Sequence, residues 1–150
     1  MAIQIGDTLP HFIATQQDGS SFDSHVVHNK PVVIYFYPKD FTPGCTTQAC
    51  SFRDAYQDFQ DLGAEVIGVS GDSANSHQNF QKKYKLPFIL LSDDERKLRQ
   101  LFGVPTALFG LLPGRVTYVF NASGKCIYIF DNLSAKNHIT KALAALKKSI

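Results

Sequence analysis

The sequence predicts an α/β fold of three layers, with helices on both faces of a central mixed β-sheet and a small hairpin near the N-terminus. Three observations carry that prediction. The run Pro31-Val-Val-Ile-Tyr-Phe-Tyr37 is apolar without alternation, as in a strand covered on both faces. Behind it, short apolar runs alternate with segments of helical periodicity through about residue 102. Two further strands then follow in direct succession, joined by Asn121-Ala-Ser-Gly124, and a helical segment closes the chain.

In order, residues 1–30 are polar and turn-rich, and Asp18-Gly19 lies between Phe12-Ile13-Ala14 and Phe22 as the turn of a hairpin. After the buried strand, residues 38–44 form a loop rich in Pro and Gly. Residues 45–61 read as one helix, with Ala49, Phe52, Tyr56 and Phe59 on a recurring face and Gly63 as its stop. Glu65–Ser70 is a strand, 74–84 a helix, Phe88–Leu91 a strand and Glu95–Phe102 a helix. Val116–Phe120 and Cys126–Phe130 pair as an antiparallel hairpin. A last helix spans 134–148, with Ser134 as its N-cap. A thioredoxin-like fold fits this order, and the 150 residues suit one domain, 1–150, with one core.

Composition narrows the function. The apolar fraction is 44%, that of an ordinary globular chain rather than a disordered one. A net charge of +2, from 15 basic against 13 acidic residues, is too small and dispersed to indicate nucleic acid or an anionic membrane as partner. The apolar run ending at Pro38 is far too short to cross a bilayer. The first residues lack the basic start and apolar stretch of a secretory leader, so a cytoplasmic protein is expected. Three cysteines are an odd number, which argues against a secreted disulfide framework. No Cys/His run has zinc-ligand spacing, and no metal is expected.

The chemistry concentrates in Tyr37-Pro-Lys-Asp-Phe-Thr-Pro-Gly-Cys45-Thr-Thr-Gln-Ala-Cys50. A buried strand ends, a stiff loop follows, and a cysteine opens a helix. The unsatisfied N–H groups and partial positive charge of a helix N-terminus favour a thiolate, the nucleophilic form of cysteine. Pro43 stiffens the approach, Gly44 leaves room for a small substrate, and the Thr42 hydroxyl can donate or accept a hydrogen bond. Such a site suits two-electron reduction of a peroxide, in which donors must meet the charge that builds on the leaving oxygen. Cys50 is the natural second thiol. Five residues along a helix is a rise of about 7.5 Å and a rotation of about 140°. Disulfide Cβ atoms lie about 3.8 Å apart, so pairing requires residues 43–52 to unwind. Cys126, in an apolar strand, reads as a small buried hydrophobe.

Pro38-Lys-Asp-Phe-Thr42-Pro-Gly-Cys45-Thr, with Cys50 five residues on, resembles the active-site signature of peroxiredoxins, and more narrowly that of the peroxiredoxin Q branch, also called bacterioferritin comigratory protein. Phe52-Arg-Asp54, Val66–Ser73, His77, Leu86-Pro-Phe88, Leu90–Asp93 and Arg115–Val119 follow that branch in order, nearly the whole chain. The resemblance implies that Cys45 is the peroxidatic cysteine and Cys50 the resolving one. It implies that Thr42 bonds thiolate and peroxide, that Pro38 shields the sulfur from water, and that Arg115 lies beside it. It implies an intramolecular disulfide recycled by thioredoxin or a similar dithiol, a monomer, and no metal or organic cofactor.

Gln48 stands where the branch often has Glu, a change of fine tuning. Phe41 puts an aromatic in the loop and, with Pro43 and Gly44, is expected to contact substrate. The apolar residues 104–114 either line the pocket, meet a partner or pack as core. Arg53 is expected to pair with Asp54 or Asp58, His77 to be a surface or capping residue, and Asp93-Asp-Glu95 to be a solvated helix start. The rival readings are a general thiol–disulfide oxidoreductase and, outside enzymes, a redox-sensing or chaperone-like binding protein with the cysteines as a switch.

Overall fold

The computed structural model describes residues 2–107 and 112–149. In chain order it holds β1 (Ile13–Gln16), β2 (Ser21–Asp23), a 3-10 turn (Ser24–Val27), β3 (Val32–Phe36), α1 (Pro43–Asp54) and α2 (Tyr56–Asp61). There follow β4 (Glu65–Ser70), α3 (Ala74–Tyr84), β5 (Ile89–Ser92), α4 (Lys97–Phe102), β6 (Thr106–Ala107), β7 (Leu112–Pro113), β8 (Val116–Phe120), β9 (Cys126–Asp131) and α5 (His138–Lys148). The main sheet has seven strands in the order β2-β1-β5-β4-β3-β8-β9, and β6 pairs with β7 as a separate ribbon. β3, β4 and β5 run parallel, whereas β1 and β8 join the parallel part antiparallel, so the sheet is mixed as expected.

β3 shows why its sequence does not alternate. Val33, Tyr35 and Tyr37 face one core with Cys45, Phe52, Phe59 and Phe80, under α1, α2, α3 and α5. Val32, Ile34 and Phe36 face the other, with Leu98 and Phe102 of α4. Apolar side chains on both faces of one strand are what a three-layer packing demands. The C-terminal end of β3 opens into the loop that carries Cys45, the usual place for a site in an open α/β sheet.

Three local expectations change. The helix foreseen over 45–61 is two, breaking at Ala55 (φ −95°, ψ 3°). The break lets Phe52 and Phe59, seven residues apart, meet with ring centroids 5.6 Å apart in one core. The last helix starts at His138 rather than 134, behind Asn137 at φ +70°. Ser134 is not its cap; the Ser134 hydroxyl accepts from the Lys136 amide inside a loop. Just before it, the Leu133 carbonyl accepts from Arg115 Nε and the Asn132 carbonyl lies 2.8 Å from His138 Nε2. α4 begins at Lys97, two residues later than the helix expected from Glu95. Of the apolar stretch 104–114, residues 108–111 lie outside the described residues.

Candidate active site

Thr42 is the N-cap residue of α1, Pro43 follows at its first position, and Cys45 lies in the first turn. Proline is at home there because the N–H it lacks would have no helical partner. The Thr42 hydroxyl does not cap the helix but donates to the Lys39 carbonyl at 2.8 Å. Cys45 is 1% exposed and Cys50 half-buried, and both are free thiols. Pro38 is half-buried at the strand end. Phe41 holds φ +64°, a conformation costly for a bulky residue and typical of loops held by their surroundings. Its ring, partly exposed, packs edge-on against the buried Phe80 at 5.0 Å and lies 6.4 Å from the half-buried Tyr84, so it caps the core beside the loop.

Arg115 is the central cation. It is only 6% exposed. Nε donates to the Leu133 carbonyl at 2.7 Å and Nη1 to Gln48 Oε1 at 2.5 Å. A Cβ on Gly44 would lie 3.0 Å from Nη2, so the glycine makes way for the guanidinium as much as for any substrate. Both protein acceptors are neutral, and no carboxylate among the described residues pairs with Arg115. Gly44 and Gln48 set this guanidinium against the first turns of α1, on either side of Cys45 in the chain. Because arginine can only donate, Gln48 must turn its oxygen toward Arg115; Gln48 Nε2 is left buried and unpaired, as is the Tyr35 hydroxyl.

Two residues that hold the loop escaped the sequence. His77, expected at the surface, is fully buried. Its Nδ1 lies 2.7 Å from Asp40 Oδ2 and its Nε2 2.9 Å from the Leu91 carbonyl. Both ring nitrogens thus lie within hydrogen-bond distance of oxygens, which fixes the ring at both ends. Asp40 also accepts from the Tyr37 hydroxyl at 2.6 Å and the Ser76 hydroxyl at 2.9 Å, and its amide donates to Asp72 at 2.8 Å. The loop between Pro38 and Thr42 is therefore pinned to α3 and β5. Helical periodicity could have found His77, since it shares a face with Phe80 three residues on.

Arg99, in α4, is the second. Its Nη2 donates to the Tyr37 carbonyl at 3.0 Å and its Nη1 to the Gly114 carbonyl at 3.3 Å. It ties the end of β3 to the residue before Arg115. Burial draws its guanidinium below the ordinary value, with Asp93 opposing. Asp93 is not solvated as foreseen; it is buried and accepts from the amides of Leu98 and Arg99 at 2.8 and 3.0 Å, capping α4 from a distance. Burial raises its carboxyl, against those amide bonds. Arg53 does pair with Asp54, at 3.0 Å, and reaches the Tyr84 carbonyl. His138 contrasts with His77: Nε2 faces the Asn132 carbonyl and Nδ1 the Thr117 hydroxyl, which suits a neutral ring, and burial lowers its basicity.

The AhpC/TSA family matches residues 5–129. Peroxiredoxin Q, chloroplastic, from Oryza sativa subsp. japonica is 52% identical over 143 residues, covering 95% of this chain and 66% of the relative, so the chain spans just under two thirds of that protein. Among solved structures, a PrxQ cysteine-to-serine mutant from Xylella fastidiosa superposes with a TM-score of 0.91 at 28% identity, covering 99% of this chain and 98% of that one. The bacterioferritin comigratory protein of Xanthomonas campestris gives 0.86 at 30% identity, with 95% and 99% covered. The cytoplasmic expectation is corrected by the plant relatives, which are chloroplastic. Free thiols mark any reducing compartment, not the cytosol in particular. The thioredoxin-like α/β architecture and the cysteine signature at the end of β3 thus agree with residue-by-residue similarity over nearly the whole length: the chain belongs to the AhpC/TSA family, in its peroxiredoxin Q branch.

Proposed function

We propose that this chain is a single-domain, monomeric thiol peroxidase of residues 1–150 that reduces hydrogen peroxide and organic hydroperoxides through Cys45. The observation that carries the reading is the buried Arg115, held by neutral acceptors at the helix turn that bears the buried Cys45. The Cys45 thiolate attacks one peroxide oxygen. An S–O bond forms as the O–O bond breaks, and the leaving oxygen takes a proton to depart as water or alcohol. Arg115 and the amides of the first turn meet the charge on the oxygens. Thr42 turns its hydroxyl from Lys39 to the peroxide, Pro38 keeps water from the sulfur, and Pro43, Gly44 and Phe41 border the substrate. The exposed face of Phe41, with Tyr84 behind it, suits an alkyl chain. In support, the Xanthomonas protein's structure is described in terms of alkyl peroxide reduction.

The product is a sulfenic acid on Cys45. The Cys50 thiolate attacks that sulfur and displaces hydroxide as water, which leaves a Cys45–Cys50 disulfide. Both residues belong to α1, so this step unwinds its first turns. Thioredoxin or a similar dithiol then restores both thiols by exchange, and the plant relatives point to the plastid as the place. No metal or organic cofactor enters the cycle.

The test is one equivalent of hydrogen peroxide on reduced protein, followed by thiol blocking and mass spectrometry. The expected result is rapid loss of two hydrogens mapped to Cys45 and Cys50, sulfenic acid at Cys45 in Cys50→Ser, and many turnovers with thioredoxin and its reductase. Oxidation that stops after one equivalent despite reductant would favour a redox sensor. A Cys45 that reacts as slowly as free cysteine would overturn the reading.

A further inference from the structure

At the opposite edge of the sheet from β9, the hairpin brings together side chains that no step above uses. His11 precedes β1, Asp23 ends β2, and His25 lies in the 3-10 turn. His11 Nε2 lies 3.0 Å and His25 Nδ1 3.8 Å from Asp23 Oδ1, and one ligand atom from each of the three residues lies within 4.8 Å of the others. The two imidazole rings stack with centroids 3.9 Å apart and planes within 7°. All three residues reach solvent.

We propose that His11, Asp23 and His25 bind a divalent first-row transition ion of the zinc class. Two imidazoles and one carboxylate suit such an ion and not magnesium or calcium, which take oxygen shells. Zinc bonds of about 2.1 Å at tetrahedral angles put ligand atoms about 3.4 Å apart, close to the separations already present. As stacked, the two rings cannot both aim an in-plane lone pair at one ion, so binding requires these exposed rings to rotate out of the stack about their side-chain torsions until both lone pairs converge beside Asp23.

The scaffold beneath is built in advance. The Phe12 amide donates to Ser24 Oγ at 2.9 Å, the Ser24 amide to the Phe12 carbonyl at 3.0 Å, and Ser24 Oγ to the Pro10 carbonyl at 3.3 Å. These bonds clamp the residues beside His11 against those beside His25. Asp23 is itself oriented as N-cap of the 3-10 turn, where Oδ1 accepts from the His25 amide at 2.9 Å. That amide, ahead of the histidines, holds its carboxyl below the ordinary value, so the ligand is anionic at neutral pH. Beside the trio lies a cavity of about 150 Å³, lined by His11, His25, His28, Lys30 and Asn121 among others, with room for water to complete the coordination. The ion would staple residues 10–12 to 23–25 and shares no residue with the cysteine site.

The test is titration of the reduced full chain with zinc by calorimetry and with cobalt(II) by absorption. One equivalent should bind, with cobalt bands between about 500 and 650 nm and no sulfur-to-metal charge-transfer band, as nitrogen and oxygen ligands require. The melting temperature should rise with zinc. Losing a group that merely orients a metal ligand weakens binding roughly tenfold to a hundredfold, so His11→Asn and His25→Asn, which remove the ligands themselves, should each weaken it at least tenfold. His28→Asn should change it less than twofold. A thiolate charge-transfer band, an unchanged affinity in His11→Asn and His25→Asn, loss of binding in His28→Asn, or no binding to the folded wild type would each overturn the assignment.

Discussion

Cys45 and Cys126 are equally hidden, each 1% exposed, yet their surroundings differ in every respect that governs sulfur chemistry. Cys45 lies in the first turn of a helix, close to a buried guanidinium that has only neutral protein partners. Cys126 opens β9 among Phe12, Val32 and Phe120, and its thiol donates weakly to the Tyr128 carbonyl at 3.7 Å. Burial pushes the Cys126 thiol up to about 11, against that bond. Burial holds Cys126 as an inert thiol, whereas at the equally buried Cys45 the amides of a helix start and a guanidinium without a carboxylate partner stand beside the sulfur's turn.

The comparison breaks most completely at the sulfurs. Cys45→Ser should abolish peroxide turnover, whereas Cys126→Val should leave the peroxide rate within about twofold; a kinetic assay with both variants decides it. The anchor comes next. His77→Gln removes the ring that bridges Asp40 and the Leu91 carbonyl, and leaving a buried polar group unsatisfied costs about 1–3 kcal/mol, measurable by urea unfolding. Arg115→Met removes the charge near Cys45 and orphans Gln48, and should lower the second-order rate with peroxide about a hundredfold to a thousandfold.

Alkaline pH sharpens the contrast from the other side. Between pH 9 and about 11 the unfolded Cys126 thiol has lost its proton while the folded one keeps it. The native state then binds more protons, so stability falls as pH rises, by up to about 3 kcal/mol. Tyr118, raised by burial, adds to the loss at still higher pH. Cys126→Val should flatten the first part of that decline in pH-dependent denaturation. The smallest effect is Gly44→Ala: its Cβ would press Arg115 Nη2 at 3.0 Å, and a shift of a few tenths of an ångström should slow peroxide reduction by roughly tenfold or less.

Patterns local to the chain were readable before the structure. The unalternating β3, the helix over 74–84 and the β8–β9 hairpin stand where periodicity and turn residues put them. The Thr42–Pro43–Gly44–Cys45 junction was legible because proline and glycine mark the helix entrance through their own backbones and the cysteine follows at once. Helix starts were less so. Ser134 looks like a cap in sequence, yet α5 starts only at His138, behind Asn137 at φ +70°, where the His138 ring is fixed between Thr117 and the Asn132 carbonyl. Periodicity could place His77 on the buried face of its helix with Phe80, but not its partner Asp40, 37 residues back, nor the Tyr37 carbonyl 62 residues before Arg99, since nothing nearby in the chain shows either.

By itself, then, the sequence determined the layering, the cysteine at a helix entrance and the second thiol in the same helix, all consequences of short-range periodicity and backbone preference. Only the tertiary structure decided which charges meet. The neutral partners of Arg115, the buried Asp40–His77 pair and the convergence of His11 on Asp23 and His25 depend on strand order and on loops far apart in the chain. A buried charge or polar group must be satisfied by whatever the fold brings within about 3 Å, and no local pattern encodes that distance.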